Sequence, residues 1–228
     1  MQAVILAAGK GSRMKEHTEL RPKPMLIVAG RPLLERKIES LPKEIDEVIV
    51  VVGYLKEQII SHFGSSYAGK KMTYVEAEPL GTGFALWQAR SYLKDEFIVM
   101  MGDDMYGSDD IAELLKHQWA MEVIASPGFQ TAADIKTDER GYFLEADFDY
   151  EGQKETIMLD TGIYKMNKDI FNIELVQLRN GEYGLPHTLF KYIKDTNTPL
   201  FVHKAKHWIK MNNPGDLEKA EEYYSASI

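Results

Sequence analysis

Apolar positions in this chain fall into blocks of two kinds. Short continuous apolar runs recur at Ala3–Ala7, Glu47–Val52, Met72–Glu76 and Phe97–Met101, most clearly as EVIVVV and FIVMM. Runs of that length without polar alternation predict strands buried on both faces, as in a parallel sheet covered by helices. Between them the apolar positions take helical spacing. Leu33, Leu34, Ile38 and Leu41 share one face of PLLERKIESL; Leu55, Ile59, Ile60 and Phe63 share one of YLKEQIISHF; Leu86, Ala89, Arg90 and Leu93 follow a glycine-rich start in GFALWQARSYL. Such spacing gives amphipathic helices. Strands alternating with helices predict a doubly wound α/β sheet.

The pattern loosens after about residue 120. Strands are predicted at Met121–Ala125, Tyr142–Asp147, Thr156–Tyr164 and Leu200–Lys204, separated by the turns SPGF, DERGY and DYEGQ. These read as antiparallel additions to the sheet on the substrate-facing part of a single domain. DIAELLK is expected to be a helix with Asp109 and Asp110 as cap and first-turn acids. PGDLEKAEEYY is expected to be a terminal helix with Asn213 as N-cap and Pro214 at its first position. No long linker, low-complexity tract or internal repeat breaks the chain, so residues 1–228 are expected to form one domain.

Composition narrows the classes. With 44% apolar residues among 228, the chain can bury a sizeable core. No apolar run approaches the ~20 residues that span a bilayer, and AVILAAG lacks the basic flank of a signal peptide. There is no cysteine, which excludes disulfides, thiolate metal sites and a Cys nucleophile and agrees with a cytoplasmic location. The six histidines show no metal-ligand spacing. The net charge is −8, and no basic stripe stands out for nucleic acid or a membrane surface. Residues 9–25 run the other way: Lys10, Arg13, Lys15, Arg21 and Lys23 face only Glu16 and Glu19. Lys15 reads as a solvated charge; the patch as a whole suits a small anionic ligand.

The chemistry starts in VILAAGKGSRM. A strand running through glycines into a helix gathers backbone N–H groups around an anion. The P-loop spacing fails, because Gly9 and Gly11 are two apart with Lys10 between them, and the dinucleotide fingerprint fails at Met14. A plain tight turn would also account for the glycines. RPKPM (Arg21–Met25) then fixes Lys23 in extended backbone between two prolines. That suits an ammonium held beside a phosphate; the bland alternative is a turn. Asp103 follows an apolar run and Gly102, at the carboxyl end of a strand where open α/β sheets bind ligands.

LAAGKGSRM, RPKPMLIVAGRPLLERKIESL, VVGYLKEQI, EPLGTGFAL and VMMGDDM, in this order and spacing, resemble the sugar nucleotidylyltransferases. LDTGIYKMNKDIF and HWIKMNNPGDLEKAEEY resemble that family's later segments, so the likeness covers nearly the whole chain. It implies a Rossmann-like three-layer sandwich with a mostly parallel mixed sheet. It also implies a nucleotide-binding half, 1–115, and a sugar-phosphate-binding half, 116–228. The implied reaction joins a nucleoside triphosphate to a sugar 1-phosphate and releases pyrophosphate, with Mg²⁺ as cofactor. Gly9, Lys10, Gly11, Ser12 and Arg13 would cradle the triphosphate, and Lys23 would sit near the α-phosphate. Leu6, Ala7 and Ala8 would line base and ribose, with Glu76, Gly81 and Thr82 also on the nucleotide. Asp103 would be a metal ligand, Asp104 would point elsewhere, and Asp160, Gly162 and Glu182 would meet the sugar phosphate. The chain stops soon after its terminal helix, so no acyltransferase tail is expected.

Three departures from the family pattern leave alternatives open. Lys210 stands where the family usually has a second metal-binding Asp, which makes Asn212 the first choice for that role and Lys210 a contact to the sugar phosphate. Glu76 stands where many uridylyl members have Gln; a carboxylate only accepts hydrogen bonds. The base is therefore open among UTP, slightly ahead, GTP, dTTP and CTP. The family's E-K-P strand has no clear counterpart, with Glu145 or Asp147 as stand-ins. A cytidylyltransferase acting on phosphocholine or a similar alcohol phosphate is the near alternative. A catalytically silent nucleotide-sugar-binding regulatory protein is the distant one. A homo-oligomer is left open.

Overall fold

A computed structural model describes residues 1–127, 133–148 and 154–225. Its strands, in chain order, are β1 (Gln2–Ala7), β2 (Ile27–Val28), β3 (Arg31–Pro32), β4 (Glu47–Val52), β5 (Ser66–Tyr67), β6 (Lys70–Glu76) and β7 (Glu96–Met101). They continue as β8 (Met105–Tyr106), β9 (Ala120–Pro127), β10 (Asp134–Thr137), β11 (Phe143–Asp147), β12 (Thr156–Asn167), β13 (Phe201–Lys204) and β14 (Trp208–Ile209). The helices are α1 (Leu33–Ser40), α2 (Lys56–Phe63), α3 (Thr82–Ala89), α4 (Ser108–Leu114), α5 (Leu185–Thr196) and α6 (Pro214–Ser225). Of the predicted turns, Gly128 and Phe129 of SPGF and all of DYEGQ, 149–153, lie outside the described residues.

The sheet is built around β1. It pairs in parallel with β4 on one side, from Gln2↔Glu47 to Ala7↔Val52, and with β7 on the other. β4 pairs in parallel with β6. Of the later strands, β12 on β7 and β9 on β12 are added antiparallel, as the looser pattern predicted, whereas β13, also expected antiparallel, runs opposite to β12 as β9 does and so pairs with β9 in parallel. The main path runs β11-β10-β12-β7-β1-β4-β6-β5. The chain lays down β1, β4 and β6 in one direction and then returns to place β7 on the opposite side of β1. The carboxyl ends of β1 and β7 therefore frame the crevice where the order reverses.

Alternate residues of β1 feed two cores. Val4 and Leu6 pack with Leu86 and Ala89 of α3 and Leu185 and Leu189 of α5. Ala3, Ile5 and Ala7 pack with Leu34 and Ile38 of α1, Ile59 and Phe63 of α2 and Ile111 and Leu114 of α4. This is the expected three-layer α/β sandwich. A third, smaller core joins Met14, Leu26, Val28, Leu33, Met105, Met211 and Ala220, so α6 closes over the region of the first loop.

Several local expectations are corrected. Asp109 and Asp110 both lie in the first turn of α4, but Gly107 precedes the helix and no side chain caps it. Asp110 is buried and instead accepts the N–H groups of Lys206 and His207 and bonds His203 at 2.8 Å. At α6 the capping runs backward. Asp216 accepts the backbone N–H groups of Asn212 and Asn213, at 2.7 and 3.0 Å, and the Asn213 carboxamide donates to it as well. The reading also passed over α5 and β10.

Candidate active site

A cleft of about 440 Å³ opens at the carboxyl ends of β1 and β7. Its floor is Leu6 and Ala7 from β1, continuing through Ala8 into the loop Gly9–Arg13, every residue of which lines it. One wall is Lys23 and Pro24; the opposite wall is Gly81, Thr82 and Ala85, at the start of α3. Asp103 and Asp104 enter from the end of β7, and Glu182 and Asn212 from the second half of the chain.

Local sequence explains how these parts meet. Gly102 donates its N–H to the Leu6 carbonyl at 2.9 Å, and a Cβ there would lie 2.7 Å from that oxygen. The turn carrying Asp103 therefore presses directly on β1. Gly81 has φ +104°, and the space where its Cβ would be is filled by the Tyr183 backbone. Tyr183 donates to Leu80 O at 2.8 Å and accepts from Gly83 N at 2.9 Å. Gly81, expected to let backbone approach a base, lines the cleft and also lets the Glu182–Tyr183 segment clip onto α3. That contact brings Glu182 to the cleft.

Lys23 is buried to 5% exposure, and its Nζ lies 2.5 Å from Asp103 Oδ2. The Asp103 side chain keeps 30% exposure toward the cleft. Asp104, its neighbour, expected to point elsewhere, also lines the cleft. It is buried, its Oδ1 accepts the Met211 N–H at 3.1 Å, and burial together with the Asp103 charge pushes its carboxyl up to about 7. Behind the pair lies Lys37 of α1, 1% exposed, donating to the Met101 carbonyl with its Nζ 5.0 Å from the centre of the Tyr106 ring. Burial lowers the Lys37 ammonium to about 8, against the pull of Asp104 and Asp103. Lys10 and Arg13, by contrast, are exposed at the mouth.

Four residues expected at the site are not among those lining the cleft. Glu76 ends β6 pointing outward, its side chain 67% exposed and 2.5 Å from Lys56 Nζ. Two residues on, Glu78 lines the cleft in its place; the chain has left the strand there, so the alternation that would keep Glu78 on the outward side with Glu76 no longer holds. Asp160 spends both oxygens locally, on Gly162 N at 2.9 Å and Tyr164 Oη at 2.5 Å. Gly162, at φ +83°, packs against Met101, which itself lines the cleft. Both lie behind Met101, where the β9–β12 register shifts. Lys210 turns aside, with its Nζ 6.0 Å from the Trp208 ring centre. The stand-in Glu145 forms an ion pair with Lys136 on the outer strands.

The site offers hard donors for a divalent cation. Asp103 supplies one carboxylate and Asn212 one carboxamide, and no cluster of three or more His, Asp or Glu with metal-binding geometry occurs among the described residues. That set fits Mg²⁺, which takes one or two protein oxygens and completes its shell with phosphate oxygens and water. No helix among the described residues is long and apolar enough to cross a membrane.

Known proteins are similar to this chain. The chain is 32% identical over 226 residues to the bifunctional protein GlmU of Methanocaldococcus jannaschii, covering 98% of this chain but 54% of that protein. It spans about half the length of the GlmU relatives it matches. It is 31% identical over 236 residues to the UTP–glucose-1-phosphate uridylyltransferase AglF of Haloferax volcanii, covering 97% of this chain and 96% of that one. The fold is shared with a putative glucose-1-phosphate thymidylyltransferase of Bacillus anthracis, at a TM-score of 0.85 and 20% identity over 98% and 94% of the two chains. Residues 2–136 match the nucleotidyl transferase family model, and with it the loop, the Lys23–Asp103 pair and the relatives make this chain a member of the nucleotidyl transferase family.

Proposed function

We propose that this protein transfers a nucleoside monophosphate from a nucleoside triphosphate to a sugar 1-phosphate. A phosphate oxygen of the sugar 1-phosphate attacks the α-phosphorus in line, the bond between that phosphorus and the α–β bridging oxygen breaks, and pyrophosphate leaves. No protein nucleophile takes part, so the residues work by positioning and charge neutralisation. The loop amides of Gly9–Ser12 with Lys10 and Arg13 hold the β- and γ-phosphates and the departing pyrophosphate. Lys23 neutralises charge at the α-phosphate as it exchanges Asp103 for phosphate oxygen. Mg²⁺, held by Asp103 and Asn212, would supply positive charge between the two substrates' phosphates. Glu182 takes sugar hydroxyls. The observation carrying this reading is the Lys23–Asp103 pair at 2.5 Å beside the glycine loop, in the crevice between β1 and β7.

UTP is the triphosphate we favour, because the relative matching end to end is named for it. Glu78 supports GTP as the second reading. It lines the cleft, and a carboxylate accepts the paired N1–H and N2–H₂ of guanine, whereas uracil N3–H is flanked by carbonyls. The test is a panel of UTP, GTP, dTTP and CTP against hexose 1-phosphates and phosphocholine with Mg²⁺, scored by pyrophosphate. UTP with a hexose 1-phosphate is expected to turn over fastest. GTP ahead of UTP would give the base to Glu78. Turnover with phosphocholine alone, or nucleotide-sugar binding with no turnover, would overturn the reading.

A further inference from the structure

Lys37 is an ammonium in an apolar place. It is buried on α1 one turn after Leu33 and Leu34 and next to Ile38, where the helix pattern calls for an apolar side chain. A lone ammonium in such a place is costly unless paired. Among the described residues its ammonium donates to the Met101 carbonyl and faces the ring of Tyr106. Tyr106 in turn donates to Thr161 O at 3.0 Å. None of the described carboxylates is hydrogen-bonded to Lys37, yet the carboxylates whose charge it feels are Asp104 and Asp103.

Four ionisable groups therefore sit together: Lys23, Asp103 and Asp104 line the cleft, and Lys37 lies behind them on the Met101 carbonyl. Lys23 is held by Asp103. Under the proposed function Lys23 must move onto phosphate oxygen, and of the two adjacent carboxylates only Asp103 would then have Mg²⁺ beside it. Without a buried cation at their back the two carboxylates would hold Lys23. We propose that Lys37 is a positioning residue: it fixes the Met101–Asp104 turn through the Met101 carbonyl and stays as the permanent counter-charge that lets Lys23 leave Asp103 for the substrate's phosphates. The inference rests on the functional reading given above. Charges facing Lys37 come from α1's neighbours as well as from the turn itself, and they are Asp103, Asp104 and Lys23.

The role is one of charge balance, which a double-mutant cycle separates from mere packing. Lys37→Met keeps the shape of the side chain and removes one positive charge. Asp104→Asn removes one negative charge and leaves an oxygen to accept the Met211 N–H. Pyrophosphate binding is measured by calorimetry and turnover by pyrophosphate release, on proteins whose folding is checked by circular dichroism. K37M is expected to weaken pyrophosphate binding at least tenfold and to lower kcat/KM at least thirtyfold. K37M/D104N is expected to regain at least fivefold of each. D104N alone is expected to bind pyrophosphate no more weakly than the wild type, and it carries the test if K37M does not fold. K37M within threefold of wild type, a double variant no better than K37M, or D104N binding more weakly than wild type would each overturn the proposal. A wild-type protein that neither binds pyrophosphate nor turns over any pair would instead bring down the functional reading itself.

Discussion

Lys23 and Asp103 each lose a partner if the other is removed, so their substitutions should not act alike. Lys23→Ala leaves Asp103 facing incoming phosphates and is expected to lower kcat/KM by two to three orders of magnitude. Asp103→Ala frees Lys23 for phosphate. Turnover with Mg²⁺ is expected to vanish while triphosphate binding, read by calorimetry, survives. Near-normal turnover in either variant would remove that residue from the chemistry. A different residue reports on stability. Glu122 is fully buried; its Oε1 accepts from Thr161 Oγ1 at 2.9 Å, its Oε2 has no hydrogen-bond partner among the described residues, and burial pushes its carboxyl up to about 8. Neutral in the fold and ionised when unfolded, it supports the fold fully below about pH 4.5 and loses that support as pH climbs through about 8. Glu122→Gln is expected to flatten this decline and to gain on the order of 3 kcal/mol at pH 8, read by urea unfolding at pH 5 and pH 8. Parallel wild-type and variant curves would refute it. Residues of the first loop could be read in advance because they are contiguous and chemically distinctive. Glu122 and Lys37 could not, since a buried charge takes its meaning from partners on other elements; the signal for Lys37 was there, as a cation on an apolar helix face.

At the scale of elements, the start of α3 carries more than its length suggests. Gly81 combines a positive φ with backbone contact to Tyr183, so Gly81→Ala is expected to cost at least about 2 kcal/mol. It should also raise KM for the sugar 1-phosphate, because Glu182 is carried by the same clip. A thermal melt and a KM series check both, and a variant as stable as wild type would refute the clip. The parallel strands were legible as apolar runs because both faces are covered. β12 was legible as a strand, but the register shift between Asp160 and Tyr164 was not. That shift takes Asp160 out of the expected site, and no spacing in the sequence announces it. β10 is four residues with two polar ones exposed or half-buried, too little pattern to register. α5 did have its signal: Leu185, Leu189 and Ile193 recur every four residues behind an early Pro186.

Over the whole molecule, a net charge of −8 opposes a polyphosphate while Lys10, Arg13 and Arg21 stand exposed near the cleft or its flank. Capture by exposed cations is screened by salt, the Debye length falling from about 30 Å at 0.01 M to about 8 Å at 0.15 M. KM for the triphosphate is expected to rise severalfold over that range with kcat little changed; a KM indifferent to salt would deny these cations a part in capture. The layered sandwich was legible from alternation alone, whereas the third core was not, because it gathers single residues from Met14 to Ala220. That core sets an order on the birth of the protein. Asp104 is anchored by a backbone N–H made 107 residues later, and Met14 beside the first loop packs on the same late segment. At about 5–20 residues per second of synthesis, the nascent chain carries its Asp103–Asp104 turn for roughly 5–20 s, and its first loop for about twice as long, before their anchors exist. The cleft is thus completed only once Met211 has been made, after its most recognisable residues have long left the ribosome.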